Sequence, residues 1–135
     1  MVYIAPMIKI FSLLLSLMAS LEGNYKQELC RITYYHPYQD KWGNRVACPS
    51  TSRAIQGVTV AAHPDFPFGT KIYIPELRGV IGNGVFIVQD RGSAITKKRA
   101  SQGKSYVFDV YVENKDTYYK SIKNKHYMNV IVNAY

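Results

Sequence analysis

The stretch that decides the fold is Gly84-Val-Phe-Ile-Val-Gln-Asp-Arg-Gly-Ser-Ala-Ile95, together with Phe108-Asp-Val-Tyr-Val112. The apolar run of the first segment predicts a β-strand, and the turn residues that follow Asp90 predict where this strand ends. In the second segment, residues alternate so that one face is apolar and Asp109 lies on the other face. Strands are depleted in aspartate, yet two of them here carry one. We expect both acids to have a role other than packing.

The N-terminal residues have the composition of an export signal. Lys9 precedes an apolar run over residues 10–20, which is too short to span a bilayer comfortably and ends in small residues. We interpret residues 1–23 as a secretory signal peptide and residues 24–135 as one domain exported to the periplasm or cell envelope. An uncleaved N-terminal anchor is the alternative. After cleavage we expect peripheral membrane contact or none.

Two cysteines, Cys30 and Cys48, occur in the chain. An oxidising compartment would allow one disulfide between them, whereas in a reducing compartment both would be small apolar side chains. Two cysteines and three scattered histidines do not make a structural zinc site. We therefore expect neither a metal nor another cofactor.

The formal net charge of +8 predicts a polyanionic partner. The cationic residues are densest at Lys97-Lys98-Arg99 and over residues 115–125. An exported protein meets anionic cell-wall polymers or membrane surfaces more often than nucleic acid, so nucleic acid is not the expected partner. A basic surface that only aids solubility is the alternative interpretation.

Six short segments rich in β-branched and aromatic residues predict an all-β domain, a small six-stranded barrel with one short helix. The helix is expected from Lys115 to Lys123 with Asn114 as its cap, and residues 37–57 are expected to form a long loop. The six strands are expected at Arg31–Tyr35, Val58–Ala62, Thr70–Ile74, Val85–Gln89, Tyr106–Val112 and Met128–Val132.

Three motifs occur in order: Ala61-Ala-His-Pro-Asp-Phe-Pro-Phe-Gly-Thr70, Val88-Gln-Asp-Arg-Gly-Ser-Ala-Ile95 and Val107-Phe-Asp-Val-Tyr111. Together they resemble the 3D domain, a three-aspartate double-psi β-barrel found in membrane-bound lytic transglycosylase A and in small stand-alone proteins. Asp90 and Asp109 match the second and third aspartates of that family. His63 stands at the place of the first, as it does in the rare lipoprotein A barrel. The resemblance covers roughly residues 31–135.

The resemblance implies a lytic transglycosylase that cleaves the β-1,4 bond between N-acetylmuramic acid and N-acetylglucosamine in peptidoglycan strands and leaves a 1,6-anhydro end. Two neighbouring carboxyls can keep one group protonated and the other charged, which suits acid catalysis. Asp90, Asp109 and His63 are the expected catalytic residues. The residues expected to bind substrate are Tyr34, Tyr35, Arg91, Gly92 and Ser93.

Each of these residues also has a structural interpretation. Asp90 could be an ordinary turn acid, Asp109 could form an ion pair with Lys71 or Arg91, and His63 could pack within its turn. Two other functions stay open as well. One is a wall-binding barrel without catalysis, and the other is a water-using glycoside hydrolase whose carboxyls lie roughly 6.5 to 9.5 Å apart.

Overall fold

Six short β-strands form a single sheet in the computed structural model, which describes residues 25–37, 43–114, 116 and 125–133. Each of the six predicted strands overlaps an observed one, so the all-β prediction is confirmed. The strands are β1 Tyr25–Tyr35, β2 Thr59–Ala61, β3 Lys71–Tyr73, β4 Val85–Asp90, β5 Val107–Tyr111 and β6 Tyr127–Asn133. A 3-10 turn covers Pro75–Leu77 between β3 and β4. Between β4 and β5, helix α1 covers Ser93–Thr96 and a second 3-10 turn covers Arg99–Ser101.

Two predicted segments fall on parts of the chain that are largely not described. The predicted signal peptide, residues 1–23, lies outside the described residues. So does the predicted helix, apart from Asp116, whose backbone N–H donates to Asn114 Oδ1 at 3.0 Å. Asn114 thus makes the kind of side-chain contact expected of a helix cap.

The strand order is β1-β5-β2-β4-β3-β6, and β6 pairs back with β1, so the sheet closes into a barrel. The sheet is mixed, because β1 pairs in parallel with β5 and β2 pairs in parallel with β4, while the other neighbours are antiparallel. Strand β1 begins at Tyr25, six residues before the predicted start at Arg31. Residues 25–31 pair with β6 and residues 31–35 pair with β5, so β1 needs two partners over its length.

Side chains at alternate positions of the strands point inward and fill the interior of the barrel. Phe108 and Val110 of β5 and Ile32 of β1 are at most 1% exposed, and Asp109 lies on the opposite face as predicted. That opposite face is largely covered as well, because Val107 and Tyr111 beside Asp109 are also buried. The other buried residues of the interior are Cys30, Val60, Ala62, Ile72, Ile74, Leu77, Ile81, Phe86, Val88, Val112, Met128 and Val130.

The glycine-rich turn before β4 needs glycine at residue 84. Gly84 has φ +80°, and its carbonyl accepts the N–H of Ile74 at 2.8 Å. A Cβ atom at this position would lie 2.9 Å from the carbonyl oxygen of Ile74 and 3.1 Å from the backbone nitrogen of Arg78. The close approach of two backbone segments therefore excludes a side chain and sets where β4 begins.

Candidate active site

Four residues from four neighbouring strands lie in one row across the outer face of the sheet, which we call the acid row. Thr33 of β1 pairs with Asp109 of β5, and Ala61 of β2 pairs both with Asp109 and with Asp90 of β4. The two acids do not lie on adjacent strands, because β2 pairs with β5 on one side and with β4 on the other. At an interstrand spacing of about 4.8 Å, the two aspartate Cα atoms lie about 9.6 Å apart.

A β-bulge puts Asp90 on the same face as Asp109. Phe86 and Val88 of β4 point into the barrel, so strict alternation would send Asp90 inward too. The register shifts at this point, however: Val60 pairs with Val88, and the next residue, Ala61, pairs with Asp90. Gln89 is thus the extra residue on β4, and such a bulge re-aims the side chain that follows it.

The carboxylate of Asp90 accepts three hydrogen bonds. The hydroxyl of Tyr35 donates to Oδ2 at 2.9 Å, and the backbone N–H groups of Ala47 and Arg91 donate to Oδ1 at 3.0 and 2.9 Å. An ionised carboxylate only accepts hydrogen bonds, so this set of donors matches the charged form. Asp90 therefore joins the loop before β2 to the turn after β4.

Tyr35 lies on the same face as the two acids and is bound to Asp90. Its side chain packs against the buried cluster of Ala61, Ile95 and Val107. Burial raises the pKa of Tyr35, and the negative charges of Asp90 and Asp109 raise it further. The phenol therefore stays protonated and donates to Asp90.

Asp109 is half-buried between the strands that carry Thr33 and Ala61. Its Oδ1 accepts the hydroxyl hydrogen of Thr33 at 2.8 Å. The sequence analysis did not single out Thr33. The signal for it was nonetheless present, because Thr33 lies two residues before Tyr35 in a predicted strand and so shares its face.

His63 lies in a second cluster, with Asp65 and Tyr106. Its Nδ1 accepts the backbone N–H of Asp65 at 3.0 Å, and its ring stacks edge-on to Tyr106 at 5.4 Å. Nδ1 also lies 3.5 Å from Asp65 Oδ1, but a nitrogen that accepts an N–H is unprotonated and forms no ion pair. The imidazole of His63 thus contacts Asp65 and Tyr106, and its catalytic role stays a prediction.

Asp65, which the sequence analysis did not select, is the acid of this second cluster. The hydroxyl of Tyr106 donates to Asp65 Oδ2 at 2.5 Å. This hydrogen bond lowers the pKa of Asp65 and raises the pKa of Tyr106 to about 12. The position of Asp65 in the first motif was a signal that could have identified it.

The guanidinium of Arg91 is bound to the chain itself. It donates to the carbonyl oxygens of Ala62 at 3.2 Å and Phe66 at 2.8 Å, and it lies 4.2 Å from the centre of the Phe68 ring. These contacts hold the segment after β2 against the turn after β4. Gly92 in the same turn precedes α1 and accepts its first backbone hydrogen bond, from Thr96 N–H.

Tyr34 and Ser93 lie outside the acid row. Tyr34 packs against the barrel interior, opposite to Tyr35, and burial raises its pKa to about 12. Its hydroxyl is buried without a hydrogen-bond partner among the described residues. Ser93 begins α1 and is exposed. Of the five residues expected to bind substrate, the structure places Tyr35 at both acids and Arg91 directly after Asp90.

The two cysteines are free thiols, so the predicted disulfide is wrong for this structure. Cys30 points into the barrel interior. Cys48 lies in the loop before β2, and its backbone N–H donates to the carbonyl oxygen of Gln89 near the end of β4. The sheet lies between the two side chains. Burial raises the pKa of Cys30 to about 12, while hydrogen bonds from Ser50 and Thr51 lower the pKa of Cys48.

A cavity of about 260 Å³ lies at one end of the barrel. Its walls include Cys30, Phe66 and Phe108, and its rim includes Glu28 and Asp65. No residue of the acid row lines it. The acid row is the better candidate for chemistry, since two carboxyl groups and the half-buried phenol of Tyr35 share its face, whereas the cavity walls are mainly apolar.

Comparison with known proteins identified no matching family model and no matching curated protein. Within the described ranges, no group of three or more His, Cys, Asp or Glu side chains could hold a metal ion. A search of the same ranges found no helix of the length and hydropathy needed to cross a membrane.

Proposed function

We propose that this chain is an exported peptidoglycan lytic transglycosylase and that its closed sheet is a double-psi β-barrel of the 3D type. One observation carries the proposal: Asp90 and Asp109 lie on one face of the sheet, on either side of Ala61, and the hydroxyl of Tyr35 on the same face donates to Asp90. The mixed sheet, with two parallel pairs among six strands, supports the fold assignment.

The two acids have different surroundings, and we assign them different roles. Asp90 accepts three hydrogen bonds and suits the charged role, in which a carboxylate stabilises the positive charge that develops on the sugar ring. Asp109 then acts as the general acid and protonates the oxygen that leaves. Its conjugate base takes the proton of the sugar's own 6-hydroxyl as that oxygen attacks the anomeric carbon, so a 1,6-anhydro end forms and Asp109 is again protonated.

The test is to incubate purified peptidoglycan with the protein and to analyse the soluble products by mass spectrometry. We expect 1,6-anhydro ends from the unsubstituted protein. Asp109→Asn and Asp90→Asn should each lower turnover by about 10²- to 10⁴-fold, because each removes a charge or a proton from the transition state. Asp116→Asn, the same substitution at an exposed aspartate outside the acid row, is the matched control and should retain turnover.

Circular dichroism would establish that the variants are folded. Wild-type turnover in both acid-row variants would contradict the assignment of the acids. Binding of peptidoglycan without any soluble product would indicate a wall-binding barrel that does not cut.

A water-using glycoside hydrolase is the second candidate. The insertion of β2 between the strands of Asp90 and Asp109 favours it, since inverting hydrolases keep their two carboxyls roughly 6.5 to 9.5 Å apart to admit a water molecule. Its products would carry reducing ends, which the same mass analysis distinguishes from anhydro ends.

A further inference from the structure

Residues 97–104 form a compact loop beside the acid row, which we call the basic loop. Three of its cationic residues, Lys97, Arg99 and Lys104, have exposed side chains. The salt bridge found among the described residues joins Lys125 to Glu76 and involves none of these three residues. Their charges are therefore not neutralised by a carboxylate of the described chain.

The loop has a defined backbone rather than an extended one. Ser101 is 2% exposed, and its hydroxyl lies 3.0 Å from the carbonyl oxygen of Lys98 and 2.6 Å from that of Ser105, one of which receives its hydrogen. Lys98 and Gln102 adopt the left-handed conformation, with φ 52° and 54°. That conformation is costly for residues other than glycine, and such strain is typical of segments whose shape matters to function.

Contacts on both sides fix the basic loop to the barrel. Ile95, two residues before the loop, packs on Ala61 in the middle of the acid row. Further along, Lys98 Nζ lies 4.3 Å from the centre of the Tyr106 ring, at the start of β5. The contacts of Ile95 and Lys98 therefore hold the basic loop on the part of the sheet that carries Ala61 of the acid row and the start of β5.

A polymer with its own negative charges would be repelled by the charged carboxylate of Asp90 at the acid row. Cations beside the row offset this repulsion and attract the same polymer. We propose that the basic loop binds the anionic groups of the cell-wall polymer, either carboxylates of the stem peptides or phosphodiesters of an attached polymer, while the glycan lies on the acid row. This proposal rests on the proposed function, because that function supplies the polymer.

The experiment compares the binding of protein variants to purified cell-wall sacculi, in the Asp109→Asn background so that the wall is not cut. One variant combines Lys97→Gln, Arg99→Gln and Lys104→Gln. A charge-matched control combines Arg53→Gln, Lys71→Gln and Arg78→Gln, at three exposed positions outside the basic loop.

We expect the loop variant to bind about tenfold more weakly at low salt, since each exposed charge pair contributes modestly. We expect the control to stay within about twofold of the parent. The difference should shrink at about 1 M salt, where screening acts within about 3 Å. Equal binding by the loop variant and the parent, or equal losses in the loop variant and the control, would overturn the proposal.

Two treated walls identify the anionic group. Amidation of the stem-peptide carboxyls should remove the loop-dependent binding if carboxylates are bound, and removal of the phosphodiester polymer should do so if phosphates are bound. If neither treatment changes the loop-dependent binding, the basic loop does not bind these anionic groups. Loop-dependent binding to a single-stranded DNA oligonucleotide without binding to the wall would also overturn it, in favour of nucleic acid.

The two proposals fail separately. Anhydro ends from the unsubstituted protein, with undiminished wall binding by the loop variant, refute the basic-loop proposal alone. Loop-dependent wall binding without any cleavage by the unsubstituted protein refutes the lytic transglycosylase proposal alone.

Discussion

The substitution Tyr35→Phe tests the hydroxyl group that donates a hydrogen bond to Asp90. It keeps the rest of the side chain that packs against Ala61, Ile95 and Val107 and removes only the group that donates to Asp90 at 2.9 Å. A hydrogen bond to a charged group contributes about 1.5–3 kcal/mol. We therefore expect the free energy of unfolding at pH 7 to fall by about that amount.

The same substitution should change how stability depends on pH. Since the pKa of Tyr35 is raised in the folded state, folding retains a proton that the unfolded chain releases above about pH 10. The contribution of Tyr35 is fully present below that pH and is lost as the pH rises. One proton corresponds to about 1.4 kcal/mol per pH unit, so Tyr35→Phe should make the decline between about pH 10 and pH 12 shallower by this slope. Tyr34 and Tyr106, each with a pKa raised to about 12, should leave some decline in both proteins.

The assay is urea unfolding followed by far-ultraviolet circular dichroism, at pH 7 and at steps from about pH 9 to about pH 11.5. Tyr25→Phe is the matched control, because the Tyr25 side chain is 59% exposed. We expect this control to stay within about 0.5 kcal/mol of the parent at pH 7. If Tyr35→Phe leaves both the free energy at pH 7 and the alkaline slope unchanged, its hydroxyl does not bond Asp90 in solution.

Two further predictions concern the thiols and the turn before β4. Alkylation without reductant should modify Cys48 faster than Cys30, because burial raises the pKa of the Cys30 thiol to about 12. Both thiols should react after unfolding. If the two cysteines react only after reduction, they are not free thiols. Gly84→Ala should lower the free energy of unfolding by about 2–4 kcal/mol, because it adds a backbone clash to the strain of a positive φ. Gly79 has φ +77°, and no atom lies within 4 Å of the added Cβ, so Gly79→Ala should lower the free energy of unfolding by only about 1–2 kcal/mol. Equal losses in the Gly84 and Gly79 variants would show that the clash at residue 84 is relieved.

Local alternation in the sequence predicted most of the fold. The side-chain period of two placed Phe108 and Val110 inside and Asp109 outside, and the structure agrees. Where a strand lacks apolar residues the prediction was incomplete, as in the exposed first half of β1, which pairs with β6 regardless of its side chains. Backbone hydrogen bonds form that part of the strand, and they leave no signal in the sequence.

The cysteine prediction failed for a related reason. The predicted export and an even cysteine count made a disulfide between Cys30 and Cys48 reasonable, but neither tells on which side of the sheet a side chain lies. Cys30 belongs to an inward position of β1, and Cys48 belongs to a loop outside the barrel. Only the closed sheet separates the two.

What the sequence by itself determined is that Asp90 ends one strand and that Asp109 lies within another, because turn residues and alternation act over a few neighbouring positions. Only the tertiary structure decided that the two acids lie on the same face of the sheet with one strand between them. Strand β2 inserts between their strands, and the bulge at Gln89 turns Asp90 outward onto the face of Asp109. Both effects depend on pairing between segments that are distant in the chain, and pairing of that kind forms only when the sheet closes.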